Sequence, residues 1–374
     1  MVIRGRGGEG PIVADVTFPW PIDIASKFGI PRLVFHGTSC FALSVFESLV
    51  RHERYKKIAS DFEPFDVPVP GLPDQIKITR LQLPTYSIEE AENERKKLIY
   101  QALKSDQTSY VVIINSFHEL HPAYSEYYSK FLGKKAWHIG PVSLCNNNDE
   151  DKADRGNAAS IDRHECLRWL DSKQPNSVVY ICFGSLSRSS ASQLNEIAKG
   201  LEASGQHFIW VLKKGEKQEW LPKGFEEKVK GKGLMIRGWA PKVLILDHEA
   251  VGGFITHCGW NSTIESISAG VPMVTWPLYA EQFCNEKLVT DVLKIGVDVG
   301  AKEWHYRWVD DTKFSVTKED IERVVTRIMV GKEAEGIRNR ARALKDMARK
   351  AAEGGGSSYS DLNALLEELI LNCP

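Results

Sequence analysis

Residues 239–282 read WAPKVLILDHEAVGGFITHCGWNSTIESISAGVPMVTWPLYAEQ. In the middle, GGFITH is an apolar run that ends at a turn, Cys258-Gly259. Asn261-Ser262-Thr263 then open a helix that stops at Gly270, and VPMVTWP is a second apolar run. Strand, glycine turn, helix and strand make a βαβ unit, and such units gather ligands at the carboxyl ends of their strands. The amino end of the helix offers unpaired backbone N–H groups and the positive end of a dipole, which suits a phosphate. The sequence places an imidazole (His257), an amide (Asn261), a hydroxyl (Ser262) and, one turn on, an acid (Glu265) around that end. A carboxylate is a poor phosphate ligand but a good acceptor for paired sugar hydroxyls. Together these groups suit a nucleotide whose phosphates and ribose share one helix end.

The whole 44-residue stretch resembles the signature box of plant secondary-product glycosyltransferases. WAP, HCGWNS, the acid at 265 and the terminal Glu-Gln all match, and weaker resemblance continues in IVADVTFPW, GIPRLVFHGTS, VIINSF, IGPVSL and YICFGSLS. The resemblance implies an α/β chain of two facing Rossmann-like domains, the GT-B type. It implies inverting transfer of a sugar, glucose by preference, from a UDP-sugar to a hydroxyl of a small lipophilic metabolite such as a flavonoid, another phenolic or a triterpenoid.

By the same resemblance, Trp239 stacks on the uracil, the backbone of Ala240 reads its edge, and Ser185 touches the diphosphate. His257, Asn261 and Ser262 face the phosphates, and Glu265 holds both ribose hydroxyls. Trp260 closes the sugar pocket, while Glu281 and Gln282 meet the sugar, where Gln at the last position goes with glucose. Lys242 stands where Gln is usual and still reaches the base or ribose. The chemistry implied needs no metal and no cofactor beyond UDP-glucose as co-substrate. Two residues also have a plainer reading: a core tryptophan for Trp239, and a carboxylate capping the following turn for Asp15.

The amino-terminal part departs from the family. There the first domain opens with a strand, a loop bearing the general-base His and a long helix, whereas this chain opens MVIRGRGGEG and its first His is His36. The first domain therefore reads as incomplete. Asp15, at the end of the apolar run PIVADV, matches the family's catalytic acid, but the His it would orient has no counterpart. His36 reads as lining the acceptor pocket or bonding a loop carbonyl rather than as a replacement base. The alternative function is a truncated, non-catalytic UDP-sugar binder. Gly5, Gly7 and Gly10 spell G-x-G-x-x-G, but no strand precedes them and no helix follows, so the dinucleotide context fails. If the strands beside PIVADV are missing, that strand becomes a sheet edge and the chain is prone to association.

The expected organisation is a partial acceptor domain over 1–145, a polar linker (NNNDEDKADRGNAAS) over 146–160, a UDP-sugar domain over 161–353, and a tail helix over 354–374 returning to the first domain. Within the first domain, 53–87 reads as a Pro-rich loop and 88–105 as a charged helix. With 48 basic and 49 acidic residues, no basic field points to nucleic acid or an anionic membrane. No apolar run approaches the length of a membrane span. The seven cysteines are scattered without a CxxC pair, which suits reduced thiols in the cytoplasm. No Walker loop, HExxH or GxSxG is present, and an NAD-dependent oxidoreductase fails for want of a placed glycine fingerprint.

Overall fold

The computed structural model describes residues 10–69, 71–72, 74–84, 94–146, 148–185, 187, 189–215, 218–304 and 316–372. Gly5 and Gly7 of the leader and the start of the expected 88–105 helix lie outside them. The chain divides into two compact units, residues 1–144 with 347–374, and residues 145–346.

The first unit carries a parallel sheet. Its strands are β1 (Ile12–Asp15), β2 (Arg32–His36), β5 (Val111–Ile114) and β6 (Ala136–His138), in the order β1-β2-β5-β6. Between β2 and β5 lies a two-stranded antiparallel ribbon, β3 (Phe65–Val67) with β4 (Ile76–Ile78). It falls within the stretch expected to be loop. Each ribbon strand is only three residues long, with buried ends and one exposed central residue, too short for a period-2 pattern to show. The helix Cys40–His52 starts where Ser39 accepts the N–H of Ala42 at 3.1 Å, as an N-cap should. The last helix, Ser357–Asn372, packs Leu365 and Leu369 against Leu33, Val111, Ile113 and Trp137 of the sheet.

Strand β1 is an edge, with β2 its only neighbour among the described strands. Val13 on β1, Phe18 and Trp20 in the connection after it, and Ile24 and Phe28 on the helix Pro21–Phe28 that follows are exposed.

The second unit is built on six parallel strands: β7 (Val178–Cys182), β8 (His207–Leu212), β9 (Gly233–Arg237), β10 (Val251–Thr256), β11 (Met273–Thr275) and β12 (Gly296–Asp298). Their order across the sheet is β9-β8-β7-β10-β11-β12, which in the unit's own count is 3-2-1-4-5-6, the doubly wound dinucleotide-binding order. Its central strands β7 and β10 are largely apolar, as expected where both faces of a parallel sheet are covered. β10 is buried at every position, and one face packs Val179, Ile181, Phe208, Trp210 and Ile255 with Ile197, Ile321, Val324 and Ile328 of the helices Ala191–Ser204 and Lys318–Val330.

The segment expected to be a free linker belongs to this second unit from residue 145 onward. It contains a short helix, Asp149–Asp154. The helix forms because Asn148 accepts the N–H of Asp151 at 2.8 Å and three acids fill the first turn, favourable at a helix amino end. Its lack of apolar periodicity hid it.

Candidate nucleotide-binding site

In a doubly wound sheet the strand order reverses at one place, and the crevice outside the carboxyl ends of the two strands there is the binding position. Here those strands are β7 and β10. β7 runs into Phe183-Gly184-Ser185, and β10 into His257-Cys258-Gly259. The two turns touch: Gly184 lies so close to His257 that a β-carbon on it would fall 2.8 Å from Cε1, and one on Gly259 would fall 2.6 Å from Nε2. The imidazole is therefore held between two glycine backbones. Gly184 also has φ +76°, a conformation that glycine adopts at little cost. Burial, and then the charge of Lys242, pull His257 down to about 3, so the ring is neutral at physiological pH.

The helix Trp260–Ala269 begins beside this ring, with Gly259 as N-cap, and ends at Gly270 in the left-handed conformation. Asn261 is exposed at its first turn and Ser262 is buried. Glu265 lies one turn on, its side chain only 4% exposed, and each of its oxygens meets a cation. Arg155 Nη2 stands 3.0 Å from Oε1 and Lys242 Nζ 2.7 Å from Oε2. Lys242 also donates to Ser262 Oγ at 2.9 Å. The lysine in the usual glutamine position is thus placed at the expected ribose acceptor.

Trp239 is half-buried and Ala240 buried. The N–H of Lys242 donates to the carbonyl of Ala240 at 2.8 Å, which tightens the chain into the short helix Lys242–Leu246. Hence the backbone from 239 to 242 brings the indole, the peptide edge and the lysine to one place.

Three expected roles look different in place. Trp260 is 1% exposed, so its side chain is buried in its unit and presents almost no surface. Gln282 turns its Oε1 to its own loop, accepting the N–H groups of Leu278 at 2.9 Å and Tyr279 at 3.0 Å; toward a ligand it keeps only the Nε2 donor. Glu281 accepts the N–H of Trp260 at 3.3 Å and is raised above the usual carboxylate range by burial, so it caps the helix from outside.

In the first unit, Asp15 sits at the carboxyl end of β1 and its Oδ1 accepts from Thr17 N–H at 2.9 Å and Thr17 Oγ1 at 2.6 Å. These are the contacts of a carboxylate capping a turn. His36 neither lines a pocket nor bonds a loop carbonyl: it is 1% exposed and its Nε2 pairs with Asp106 Oδ2 at 3.0 Å. Arg155 is the one site residue that sequence reasoning did not name. Its only sequence signal is a lone Arg-Gly in a polar stretch.

A doubly wound sheet with an imidazole, a helix end and a carboxylate at its switch point defines a nucleotide-binding protein of the Rossmann type. The model of one family, UDP-glucoronosyl and UDP-glucosyl transferase, matches residues 95–303. A scopoletin glucosyltransferase of Nicotiana tabacum is 55% identical over 359 residues, covering 96% of this chain and 74% of that protein. A UDP-glucose flavonoid 3-O-glucosyltransferase of Fragaria ananassa is 54% identical, again covering 96% and 74%. The crystal structure of Glycyrrhiza uralensis UGT73P12 complexed with glycyrrhetinic acid 3-O-monoglucuronide superposes with a TM-score of 0.89 at 45% identity, over 96% of this chain and 73% of that one. The chain belongs to the UDP-glycosyltransferase family of plant secondary metabolism, with the GT-B fold.

Proposed function

We propose that the chain transfers glucose from UDP-glucose to a hydroxyl of a small lipophilic plant metabolite, a flavonoid, another phenolic or a triterpenoid, inverting the anomeric centre. The acceptor classes follow the names of the relatives, which act on scopoletin and on flavonoids, and of the neighbour bound to a glycyrrhetinic acid glucuronide. The observation that carries the donor half is Glu265, a buried carboxylate one turn into a switch-point helix, paired with Arg155 and with Lys242, which also bonds Ser262; Trp239 precedes that lysine by three residues and His257 ends the strand before the helix. That set supplies an aromatic shelf for uracil, an acceptor for the ribose hydroxyls and donors for a diphosphate.

In the transfer step the acceptor oxygen bonds to the anomeric carbon as the bond from that carbon to the β-phosphate oxygen breaks. The bonding pair leaves with UDP. Its growing charge meets the amino end of the helix Trp260–Ala269 and the neutral His257, which can donate one N–H. Ser185, beside Gly184, and Asn261 are assigned as further donors to the diphosphate. Glu281 and Gln282 are assigned to the sugar, Gln282 through its Nε2. Neither metal nor organic cofactor is required in this scheme, since the protein's own dipoles meet the diphosphate.

The acceptor's proton must go to a base. Asp15 is assigned as the carboxylate that orients it, and His36, buried on Asp106, is not the base. Cys40, Cys145, Cys166, Cys182, Cys258 and Cys284 are free thiols, which suits work in the cytosol. No helix among the described residues is long and apolar enough to cross a membrane.

The test is calorimetric titration of the purified chain with UDP, followed by incubation with UDP-glucose and a panel of phenolic and triterpenoid acceptors. Glu265→Ala is expected to weaken UDP binding by roughly tenfold to a hundredfold, the worth of a hydrogen bond to a charged group. UDP affinity that ignores this substitution would remove the donor assignment. Tight UDP binding without transfer to any acceptor would instead make the chain a UDP-sugar binder.

A further inference from the structure

Residues 148–160 are fastened to the nucleotide end of the second sheet at several points. Ala153 is buried, and Lys152 Nζ reaches Asp247 Oδ2 at 2.6 Å. Gly156, at φ +95°, lays its α-carbon on the six-membered ring of Trp239: a β-carbon there would stand 2.3 Å from Cζ2. Ser160 donates its N–H to the carbonyl of Trp239 at 2.7 Å and accepts the Trp239 N–H on Oγ at 3.0 Å. Arg155 lies between these anchors. Its Nη2 is on Glu265 Oε1, and its Nη1 is 3.3 Å from Asn146 Oδ1.

We propose that Arg155 is a positioning residue of the donor site, which with Lys242 holds the Glu265 carboxylate in the orientation that selects a ribonucleotide over its 2′-deoxy counterpart. The inference rests on the UDP-sugar reading of this site and adds a specificity determinant to it. An ionised carboxylate has about four lone-pair directions, two on each oxygen. Arg155 pairs with Oε1 at 3.0 Å, and Lys242 Nζ lies 2.7 Å from Oε2 as an ion pair without a directed hydrogen bond, so each oxygen keeps a lone pair for one of the two hydroxyls of a vicinal diol. A carboxylate this buried is costly to keep charged without partners. Two cations on opposite oxygens both meet that cost and fix the rotation of the group. With Lys242 alone, the carboxylate can turn both oxygens toward a single ammonium, and the match to a diol is lost. A guanidinium suits the task because its planar donors are held in fixed directions, whereas an ammonium acts as a point charge.

The experiment compares the wild type, Arg155→Gln and Arg155→Lys by titration with UDP and with 2′-deoxy-UDP. The wild type is expected to prefer UDP. Arg155→Gln should lose roughly tenfold in UDP affinity, the lower end of one charged hydrogen bond, while 2′-deoxy-UDP changes far less, so the preference shrinks. Arg155→Lys should fall between the two, with charge restored but not geometry. Equal losses for both nucleotides would reduce Arg155 to a structural fastening, and unchanged or tighter UDP binding would make it a bystander or a competitor of the ribose. Either result overturns the inference. Should Glu265→Ala abolish UDP binding while Arg155→Gln keeps full discrimination, only the role of Arg155 falls; a wild type blind to UDP removes the donor site and this inference together.

Discussion

Glu286 shows how far one buried carboxyl can couple the fold to pH. It is buried behind β11, where Thr275 Oγ1 donates to its Oε2 at 2.8 Å, and burial pushes it up from 4.5 to about 8. Between those two pH values the folded chain holds a proton that the unfolded chain has released. Stability therefore falls as pH rises through this window, and the contribution is full below about 4.5 and gone above about 8. His257 has the opposite sign: burial lowers it from 6.5 to about 3, so its contribution is present above 6.5 and is lost as pH falls toward 3. Glu286→Gln keeps the shape and removes the ionisation. Urea midpoints at pH 5 and pH 8.5 are expected to lie closer together in the variant than in the wild type, and an unaltered gap would mean that Glu286 carries its charge inside the fold. At this scale the sequence showed what lies close along the chain: Ser262 and Glu265 sit one turn apart on the helix that follows His257. It did not show Arg155, which is 110 positions from its partner and sits in a stretch with the composition of a linker. Nor did it show the inward turn of Gln282, because that depends on the path of the loop 278–282 and not on the residue type.

The turns after β7 and β10 act as one element, because each fixes the other through His257. Gly184→Ala tests this. The added methyl would meet the edge of the imidazole at under 3 Å, and the positive φ adds a cost of order 1 kcal/mol. The obstructing atoms belong to a side chain and not to backbone, so the ring should be displaced while the sheet survives. The expected result is a melting temperature lowered by only a few degrees with UDP affinity reduced at least severalfold, read by thermal denaturation and calorimetry on one preparation. Unfolding of the variant, or retention of full affinity, would show that the two turns are not coupled in this way. The boundaries of three helices of the second unit were legible because each is followed by a glycine, Gly205 after Ser204, Gly270 after Ala269 and Gly331 after Val330. Two elements were not. The ribbon β3–β4 offers three residues per strand, and the helix Asp149–Asp154 has one buried anchor among its described side chains, Ala153, in a run of charges. Pattern reading needs repetition, and neither provides it.

At the scale of the whole molecule, the sheet order of the second unit follows from alternating apolar runs and amphipathic helices, and a reader of the sequence can reach it. What the first unit does with its surface is less visible, because exposure is decided by what stands beside a strand. Among the described strands β1 has a neighbour on one side only, and parallel strands are normally covered on both faces. Phe18, Trp20 and Phe28 are each more than half exposed, and Val13 and Ile24 adjoin them in the chain. Open strand edges and large apolar patches drive association. The chain is therefore expected to self-associate as its concentration rises, and Trp20→Ser with Phe28→Ser should shift sedimentation toward the monomer. Both side chains are exposed, so replacing them removes little packing, and UDP affinity, set by residues of the second unit, should not change. A wild type that sediments as a monomer across the accessible concentration range would show that this face is tolerated by water as it stands. A double variant that associates as strongly as the wild type would move the cause from the apolar side chains to the unpaired backbone of β1, where Val13→Lys on the strand itself is then expected to disperse the assembly.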